Sequence, residues 1–274
     1  MSAVLRAYAR ISEKGLTRAL GVGGKTLITI TAWPELGAGP LDDTGLPALK
    51  ARFFTSKSWP RFGRMDLLSK LGVGAAELCI GSEFPQMARD DVALVGASML
   101  GSLEVDAEYH DTLLKGGPAS ASPALFVYTL PSMFLGEIAI GLGLRGRTSL
   151  ISQGRLSAVA ALAAAVRLIE KERATSVLVV AAEAVGPAAG QLEVRPMGGS
   201  GACAWLLTCD GQGIGRLGAV RFGHSEIGAS VLEAGAENYG LTYVDALQQA
   251  LLGGRSQVFR CGEGSQTISL NVSQ

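Results

Sequence analysis

The sequence is poor in charged residues and in histidine. Only 18% of its 274 residues are charged, the 24 cations balance the 24 acids, and two histidines are present. Nucleic-acid-binding domains need a cationic excess to neutralise phosphates, so this balance excludes a basic nucleic-acid-binding surface. The sequence likewise shows no basic face of the kind that holds a helix on a membrane. We therefore expect neither nucleic acid nor a membrane surface among its partners.

Long hydrophobic runs and a secretion signal are also absent. The longest apolar run, Ala158–Val166, is far shorter than the roughly 20 residues that a membrane-spanning helix needs. The N-terminal residues Met1–Arg10 contain neither an uninterrupted apolar stretch nor a small-residue cleavage site. These absences predict a cytoplasmic protein without a membrane span.

The cysteines do not form pairs in the sequence. Four are spread along it, with no Cys-x-x-Cys motif and no metal-ligand spacing from a histidine: Cys79, Cys203, Cys209 and Cys261. This pattern indicates buried thiols in a reducing compartment and predicts no metal site. The two histidines, His110 in a polar turn and His224 after a strand, stand alone, and we expect them to be solvated or to cap local structure.

Hydrophobic residues, in contrast, are abundant: they make up 48% of the sequence and give a mean hydropathy of +0.30. Such a composition predicts helices that are buried on all sides or a large apolar face that a partner covers. The clearest unit consists of a short strand at Thr148–Ser152, an apolar helix at Leu156–Glu172 and a continuously apolar strand at Thr175–Ala182. This order predicts a βαβ unit with parallel strands.

Periodic patterns of apolar residues predict further elements on both sides of this unit. Strands are predicted at Val4–Ile11, Thr26–Trp33, Asp91–Val95, Ala219–Phe222, Gln257–Arg260 and Gln266–Val272. Helices are predicted at Arg64–Cys79, Ser132–Leu142 and Tyr243–Leu252, with a proline-bounded loop at Ser120–Pro131. The mixture of strands and helices indicates an α/β fold.

Two glycine-rich segments approximate nucleotide-binding motifs but lie in the wrong context. Ala19–Thr26 (ALGVGGKT) is close to a phosphate-binding loop, yet a strand follows it where a helix N-terminus would have to hold the phosphates. Gly213–Gly218 (GIGRLG) matches Gly-x-Gly-x-x-Gly, but it lies between two predicted strands and fits a hairpin turn. The sequence therefore predicts no nucleotide site and no cofactor.

One block of the sequence resembles a known family. Ser122–Glu183 begins SPALFVYTLPSMFLGEIAIGLGLRGRTSLISQGRLSAVAALAAAVRLI and ends in VLVVAAE. It is similar, without a gap, to β-ketoacyl synthases, which have here a Ser-Pro pair, an Asn-Met-x-x-Gly helix start, a Gly-Leu-Arg-Gly turn and the nucleophile with its helix. The matching residues are Ser122, Pro123, Met133, Gly136, Gly143, Leu144, Arg145, Gly146, Ser157, Val159, Arg167, Ile169 and Glu183.

The resemblance extends to both sides of this block. RMDLLSKLGVGAAE is similar to the family's helix before the substrate loop, Gly96–Gly101 to its glycine turn, and GGSGACAWLL to the segment that closes its first half. The tail Phe259–Val272 resembles the final hairpin of synthases, whereas most of the second half before it is missing. The resemblance implies a thiolase-like layered α/β fold. Its first repeat would be complete (residues 1–215), and its second repeat (residues 216–274) would be vestigial, with one helix and the closing strands.

The same resemblance implies that the chemistry has been lost. Synthases hold the acyl chain on a cysteine at a helix N-terminus, where the ungapped match places Arg155 and a slipped alignment would place Gln153. Either residue, with Ser157 beside it, leaves the site without the family's nucleophile. The family's two histidines would fall in the missing stretch, and its gating phenylalanine would fall at Glu263. We therefore expect no catalytic residue, and we expect a polar contact to hold Arg155, for which Glu263 is a candidate.

A synthase-like chain without the family's catalytic residues implies a subunit that works with an active partner. Chain-length factors are such members of the family: they pair with an active ketosynthase and help to wall its acyl tunnel. The resemblance therefore implies a heterodimer with a full-length β-ketoacyl synthase, and an acyl carrier protein bound directly or through that partner. We expect an exposed interface at Thr175–Ala182 and expect Met99–Val105 to lie beside the loop Phe126–Phe134. The predicted tunnel and interface residues are Met99, Val105, Phe126, Tyr128, Thr129, Met133 and Phe134.

Two other functions stay open at this point. The chain could be a self-associating pseudo-ketosynthase that binds an acyl carrier protein or an acyl ligand as a scaffold or sensor. It could also be an active enzyme of altered chemistry.

Overall fold

The computed structural model describes residues 3–22, 25–81, 90–191, 199–211, 213–224, 241, 257–263 and 266–273. Within these residues, ten strands form one mixed sheet. Two hydrophobic clusters cover its two faces, because alternate side chains of each strand point to opposite sides. The predicted α/β fold is thus confirmed.

The bounds of the elements follow the predicted pattern closely in the middle of the chain. The strands are β1 (Ala3–Ser12), β2 (Gly15–Val22), β3 (Lys25–Thr31), β4 (Val92–Ala97), β5 (Thr148–Ile151), β6 (Ser176–Glu183), β7 (Gly201–Thr208), β8 (Gly215–His224), β9 (Gln257–Glu263) and β10 (Gln266–Ser273). The helices are α1 (Leu67–Ile80), α2 (Leu103–Gly116), α3 (Pro123–Phe126), α4 (Met133–Leu142), α5 (Ser157–Glu170) and α6 (Pro187–Gly190).

Five strands from the first part of the chain form a complete unit in the order β5-β4-β6-β7-β1. Strand β4 pairs in parallel with both β5 and β6, and β7 is antiparallel to β6 and β1. Because β5 and β6 run in the same direction on either side of β4, the predicted βαβ unit is confirmed.

The expected interface at Thr175–Ala182 is wrong. This segment corresponds to β6, which lies in the middle of the sheet and is buried from Val177 to Glu183. Strand β5, in contrast, lies at an edge of the sheet, and its residues Thr148 and Ser149 are exposed. A continuously apolar strand is typical of the centre of a parallel sheet, so the composition of β6 indicated burial and not an interface.

Strands of the second part of the chain repeat part of the first. The order β8-β10-β9, with each strand antiparallel to its neighbour, copies the order and relative directions of β1, β7 and β6. The two closing strands predicted from the tail are confirmed as a hairpin. The predicted helix Tyr243–Leu252 lies outside the described residues.

Helix α5 packs against strands from both parts of the chain. It contacts β4 and β6 of the first part and β8 and β10 of the second. Ten of its fourteen residues are buried, many of them alanines: Ser157, Ala158, Val159, Ala160, Ala161, Leu162, Ala163, Ala165, Val166 and Ile169. Small side chains around the helix let strands of both parts pack closely against it.

Three local predictions need correction. Ala19–Val22 is part of β2 rather than a loop, and β2 forms an antiparallel hairpin with β3. Gly213–Gly218 is not a hairpin turn, because β7 and β8 pair with opposite sides of β1 instead of with each other. The loop Ser120–Pro131 contains the short helix α3. Neither glycine-rich segment is followed by a helix, as a nucleotide-binding loop would require.

Helix α2 was not predicted. Its sequence LEVDAEYHDTLLKG has only one buried residue, Val105, because the helix lies on the surface. His110 is therefore an exposed residue of this helix, not of a turn. None of the helices in the described part of the chain is both long and apolar enough to cross a membrane.

Candidate functional site

A tight turn joins β5 to α5 at the position where the resemblance places the family's nucleophile. Gly154 has a φ of 52°, in the left-handed region that favours glycine. The N–H groups of Leu156 and Ser157 donate to the carbonyl oxygens of Gln153 and Gly154 at 3.0 and 3.2 Å. Arg155 follows Gly154 and projects from this turn two residues before the first residue of the helix.

Arg155 is a cation near the N-terminus of a buried helix. A positive charge at this end opposes the helix dipole by roughly 0.3–1 kcal/mol, whereas the dipole would favour a thiolate. The residue is half-buried and is not free, since it interacts with the structure around it. The helix dipole therefore destabilises the charge of an arginine at this position, whereas it would stabilise the thiolate of a cysteine.

Ser157 cannot take over the role of nucleophile. Its side chain is fully buried. The hydroxyl donates to the carbonyl oxygen of Gly154 at 2.6 Å and accepts from the N–H of Gln153 at 2.9 Å. These bonds close the turn, so Ser157 holds the backbone in shape instead of facing a substrate.

The buried thiols of the described chain are not poised to react. Burial raises the pKa of both the Cys79 and the Cys261 thiol to about 12. Cys203 is also buried, 3.9 Å from the Tyr8 hydroxyl. Thiols with raised pKa values stay protonated at neutral pH and are poor nucleophiles. Across the described residues, no three His, Cys, Asp or Glu side chains form a group that could hold a metal ion.

The glycine turn after β4 is anchored by Glu183, the residue that matches the family's acid. The buried carboxylate accepts the Ser98 hydroxyl at 3.0 Å, and it also accepts the N–H groups of Met99 and Leu100. Three donors compensate the desolvation of this carboxylate. The bonds tie the end of β6 to the turn that leads into α2.

A second carboxylate, Glu137, organises the loop before α4. Glu137 is 3% exposed, and it accepts from the Arg61 guanidinium at 2.8 Å and from the Tyr128 hydroxyl at 3.1 Å. Burial, and then the neighbouring carboxylate, raise the pKa of Tyr128, so its hydroxyl stays a donor. Nothing in the sequence pattern pointed to this cluster, because its members are far apart in the chain.

The predicted tunnel and interface residues fall into two groups. Phe134 is fully buried in the core of its own chain, and a Cβ atom at Gly72 of α1 would lie only 2.6 Å from its ring. Its assignment to an interface is therefore wrong, since the first turn of α4 faces inward at this residue. Tyr128 is also buried, whereas Phe126 is 60% exposed and Met133 and Thr129 are half-buried.

The expected proximity of Met99–Val105 to the loop Phe126–Phe134 is confirmed. The Ser102 hydroxyl donates to the carbonyl oxygen of Thr129 at 2.8 Å. Met99 packs beside Val185 and Ala189 instead of pointing into the loop.

A cavity of about 830 Å³ lies between the start of α1, α2, α3 and the segment after β6. Two of the predicted tunnel residues, Val105 and Tyr128, line it together with Leu125. Its rim is polar and carries charges of both signs: Arg64, Asp66, Lys70, Glu104, Glu108, His110 and Asp111. Sequence reasoning missed this rim because α2, which supplies four of these side chains, was not predicted.

Glu104 closes one side of this cavity. Its carboxylate accepts the N–H groups of Gly186, Ala188 and Ala189 at 2.9, 3.1 and 2.7 Å. These are the amides around the start of α6, where a negative charge is favourable. Glu263, the expected gate position, is the last residue of β9.

Comparison with known proteins places the chain among ketosynthases. The model of the N-terminal domain of β-ketoacyl synthase matches residues 49–203. No curated protein matches the chain. The structure described as the ishigamide ketosynthase/chain length factor has a TM-score of 0.72 and 16% identity, with 99% of each chain covered.

Two further solved structures are similar over the whole chain. Ketosynthase (ApeO) in complex with its chain length factor (ApeC) from Xenorhabdus doucetiae gives a TM-score of 0.63 at 20% identity, with 100% of each chain covered. The complex AntDE:AntF, a type II PKS acyl-carrier protein with its ketosynthase bound to the hexaketide, gives 0.71 at 12% identity, with 99% of each chain covered. At these identities the similarity establishes the fold, and it is the thiolase-like ketosynthase fold. The family model spans more than half of the chain, and the chain therefore belongs to the β-ketoacyl synthase family.

Proposed function

We propose that the chain is a non-catalytic subunit of the chain-length-factor type, which pairs with a full-length β-ketoacyl synthase and helps to wall that partner's acyl tunnel. The proposal is carried by Arg155, a half-buried cation two residues before α5, where the ungapped resemblance places the family's acyl-accepting cysteine. A guanidinium stays protonated and has no lone pair with which to attack a thioester. The similarity to solved ketosynthase/chain length factor complexes supports the same interpretation.

The surroundings of Arg155 support a loss of chemistry. Ser157 uses its hydroxyl within the turn. The exposed His110 lies on α2, which follows β4, whereas the resemblance places the family's histidines in the missing stretch of the second half. Covalent catalysis needs a nucleophile together with a base that activates it, and neither is found among the described residues of this turn.

Strand β5 is the edge through which we propose that the ketosynthase binds. It pairs with β4 alone among the described strands, and Thr148 and Ser149 are exposed. Its other side therefore offers unpaired backbone N–H and C=O groups to another strand. β5 leads directly into α5, so a partner at this edge would lie beside the position that the nucleophile has lost.

The wall of the partner's tunnel would come from the loop between α3 and α4. Phe126, Val127 and Leu130 expose 60%, 42% and 61% of their surface. Apolar side chains exposed in one loop favour burial against another protein. A bulky side chain at a tunnel end limits chain growth by volume, because a longer chain would have to overpack a filled core at about 1–3 kcal/mol.

The proposal also includes the compartment in which the subunit acts, its carrier protein and its domain boundaries. The complex would act in the cytoplasm, and an acyl carrier protein would reach it directly or through the ketosynthase. Residues 1–215 would form the complete repeat, and residues 216–274 would form the vestigial one.

Co-expression with a ketosynthase encoded beside this chain tests the proposal. We expect a 1:1 complex that buries roughly 2,000 Å² or more, as obligate interfaces do. In the reconstituted pair, Phe126→Ala should lengthen the product by at least one two-carbon unit, because each methylene gains about 0.8 kcal/mol on burial in the space left. Product mass is the measurement.

The matched control is Leu114→Ala, which removes an apolar side chain that is 70% exposed on α2. This variant should leave the product length unchanged. A stable monomer without affinity for the ketosynthase would contradict pairing. An intact, active complex whose product is the same with Phe126→Ala would remove the tunnel-wall role of that residue.

A further inference from the structure

Strand β3 leaves an apolar edge of the sheet uncovered. Among the strands that the structure describes, it pairs only with β2, and six of its seven residues are exposed. Leu27, Ile28 and Ile30 expose 55%, 48% and 72% of their surface. Proteins usually protect an edge strand with charges, proline or a bulge. Thr26–Thr31 has no charge and no proline, and its pairing with β2 runs without a register shift.

The exposed edge at β3 lies far from the edge at β5. Four strands of the first unit and β2 separate the two edges, because the order continues from β5-β4-β6-β7-β1 to β2 and β3. A ketosynthase bound at β5 would therefore leave β3 open. Strand β3 would then remain available to another binding partner.

We propose that β3 pairs with β3 of a second copy of this chain, antiparallel about a two-fold axis at Ile28. In this register Ile28 faces its own copy, Thr26 faces Ile30, and Lys25 faces Thr31. No like charges oppose each other, so the strand is complementary to itself, as a contact between identical surfaces requires. A strand with a charge near its middle would not tolerate this pairing.

The side chains of β3 suit such a contact. Ile28 lies directly opposite Ala19 of β2, which belongs to the hydrophobic cluster around α5. Ile28 and Ile30 therefore extend that apolar face beyond the covered part of the sheet. In the proposed pair, Ile28 of one copy would pack against Ile28 of the other, and Ile30 would pack against Thr26.

The contact should be weak and reversible. A seven-residue strand offers less than the roughly 800 Å² per partner of a standard interface. We therefore expect association that depends on concentration, which would join two copies of the chain or two heterodimers back to back. The proposal does not rest on the ketosynthase, because the full chain alone suffices to test it.

Sedimentation velocity over a range of concentrations measures the association. The wild-type chain should shift from monomer to dimer as its concentration rises. Ile28→Lys and Ile28→Glu should each raise the dissociation constant by about tenfold or more, because each places two like charges opposite one another. An equimolar mixture of the two variants should associate again, since lysine then faces glutamate across the axis.

Leu114→Lys is the control, because it puts the same charge at an exposed apolar position on α2. It should associate like the wild type. A wild-type chain that stays monomeric at all concentrations would overturn the proposal. This result is expected if β3 binds only a different protein. Dimers that persist in both single variants, or a mixture that does not recover, would overturn the two-fold pairing at Ile28.

Discussion

Buried or half-buried carboxylates connect distant parts of the chain. Glu183 joins the end of β6 to the glycine turn, Glu104 joins α2 to α6, and Glu137 joins α4 to Arg61. Each carboxylate is compensated by donors, without which its burial would cost several kcal/mol. These bonds hold the loops around the turn before α5 in a defined geometry.

Alanine substitutions of the two aromatic residues Phe126 and Phe134 should differ sharply in their effect on the free energy of unfolding. Phe134→Ala should lower the free energy of unfolding by about 3–5 kcal/mol, because it leaves a cavity against α1. Phe126→Ala should lower it by no more than about 1.5 kcal/mol, since the side chain is 60% exposed and loses mainly its contact with the ring of Tyr109. Urea denaturation of the purified variants measures both. Equal losses would contradict the opposite placement of the two rings.

The cysteines should react according to their burial. Iodoacetamide at pH 8 should label the half-buried Cys209 of the native chain but not Cys79 or Cys261, whose pKa values burial raises to about 12. Peptide mass spectrometry measures the labelling, with the denatured chain as control. Rapid native labelling of Cys79 would contradict its placement.

The same thiols predict a loss of stability in alkali. In the unfolded chain a thiol has a pKa of about 8.5, below the value of about 12 for Cys79 in the fold. The unfolded state therefore loses its proton first. The contribution to stability is full below about pH 8.5 and falls as the pH rises toward 12. Cys79→Ala should flatten this part of the pH profile of the free energy of unfolding.

At the scale of elements, sequence patterns predicted what is buried better than what is exposed. The unit from β5 through α5 to β6 was predicted almost to the residue, since strong apolar patterns define all three elements. Helix α2 was missed because a helix with one buried residue has little periodicity. The hairpin of β2 and β3 was half recognised, as glycines in β2 indicated a loop.

In the candidate site, too, the sequence predicted some features and missed others. The assignment of Arg155 to the nucleophile position comes from the ungapped resemblance and stays a prediction; the structure places this residue, half-buried, two residues before α5. The inward orientation of Phe134 could not be read from its loop, because the side that faces α1 depends on how the two helices pack. The polar rim of the cavity required the fold, since its residues come from α1, α2 and the turn before them.

The segment that follows β6 should depend on a single side chain of α2. Glu104→Ala removes the acceptor of the N–H groups of Gly186, Ala188 and Ala189. Their hydrogen exchange should speed up by about tenfold or more, because hydrogen bonds to charged groups contribute about 1.5–3 kcal/mol. Glu108→Ala, an exposed acid of the same helix, is the control. Unchanged exchange in the first variant would contradict the bonding.

At the scale of the whole molecule, a chain without the nucleophile should be inert on its own. Incubation with acyl-carrier protein should add no acyl group to the chain, and no condensation with malonyl-carrier protein should follow, because Arg155 cannot form a thioester. Intact-protein mass spectrometry and product analysis measure the two steps, with an active ketosynthase as positive control. An acylated chain would point to the enzyme of altered chemistry.

The contacts of α5 with strands from both parts of the chain set a lower limit to how far this protein can be shortened. Strands β8 and β10 contact the helix, and β9 pairs with β10 in a hairpin. Residues of all three strands belong to the same hydrophobic cluster as the buried side chains of α5. A chain that ended before β8 would therefore expose part of the alanine, valine and leucine surface of this cluster to water.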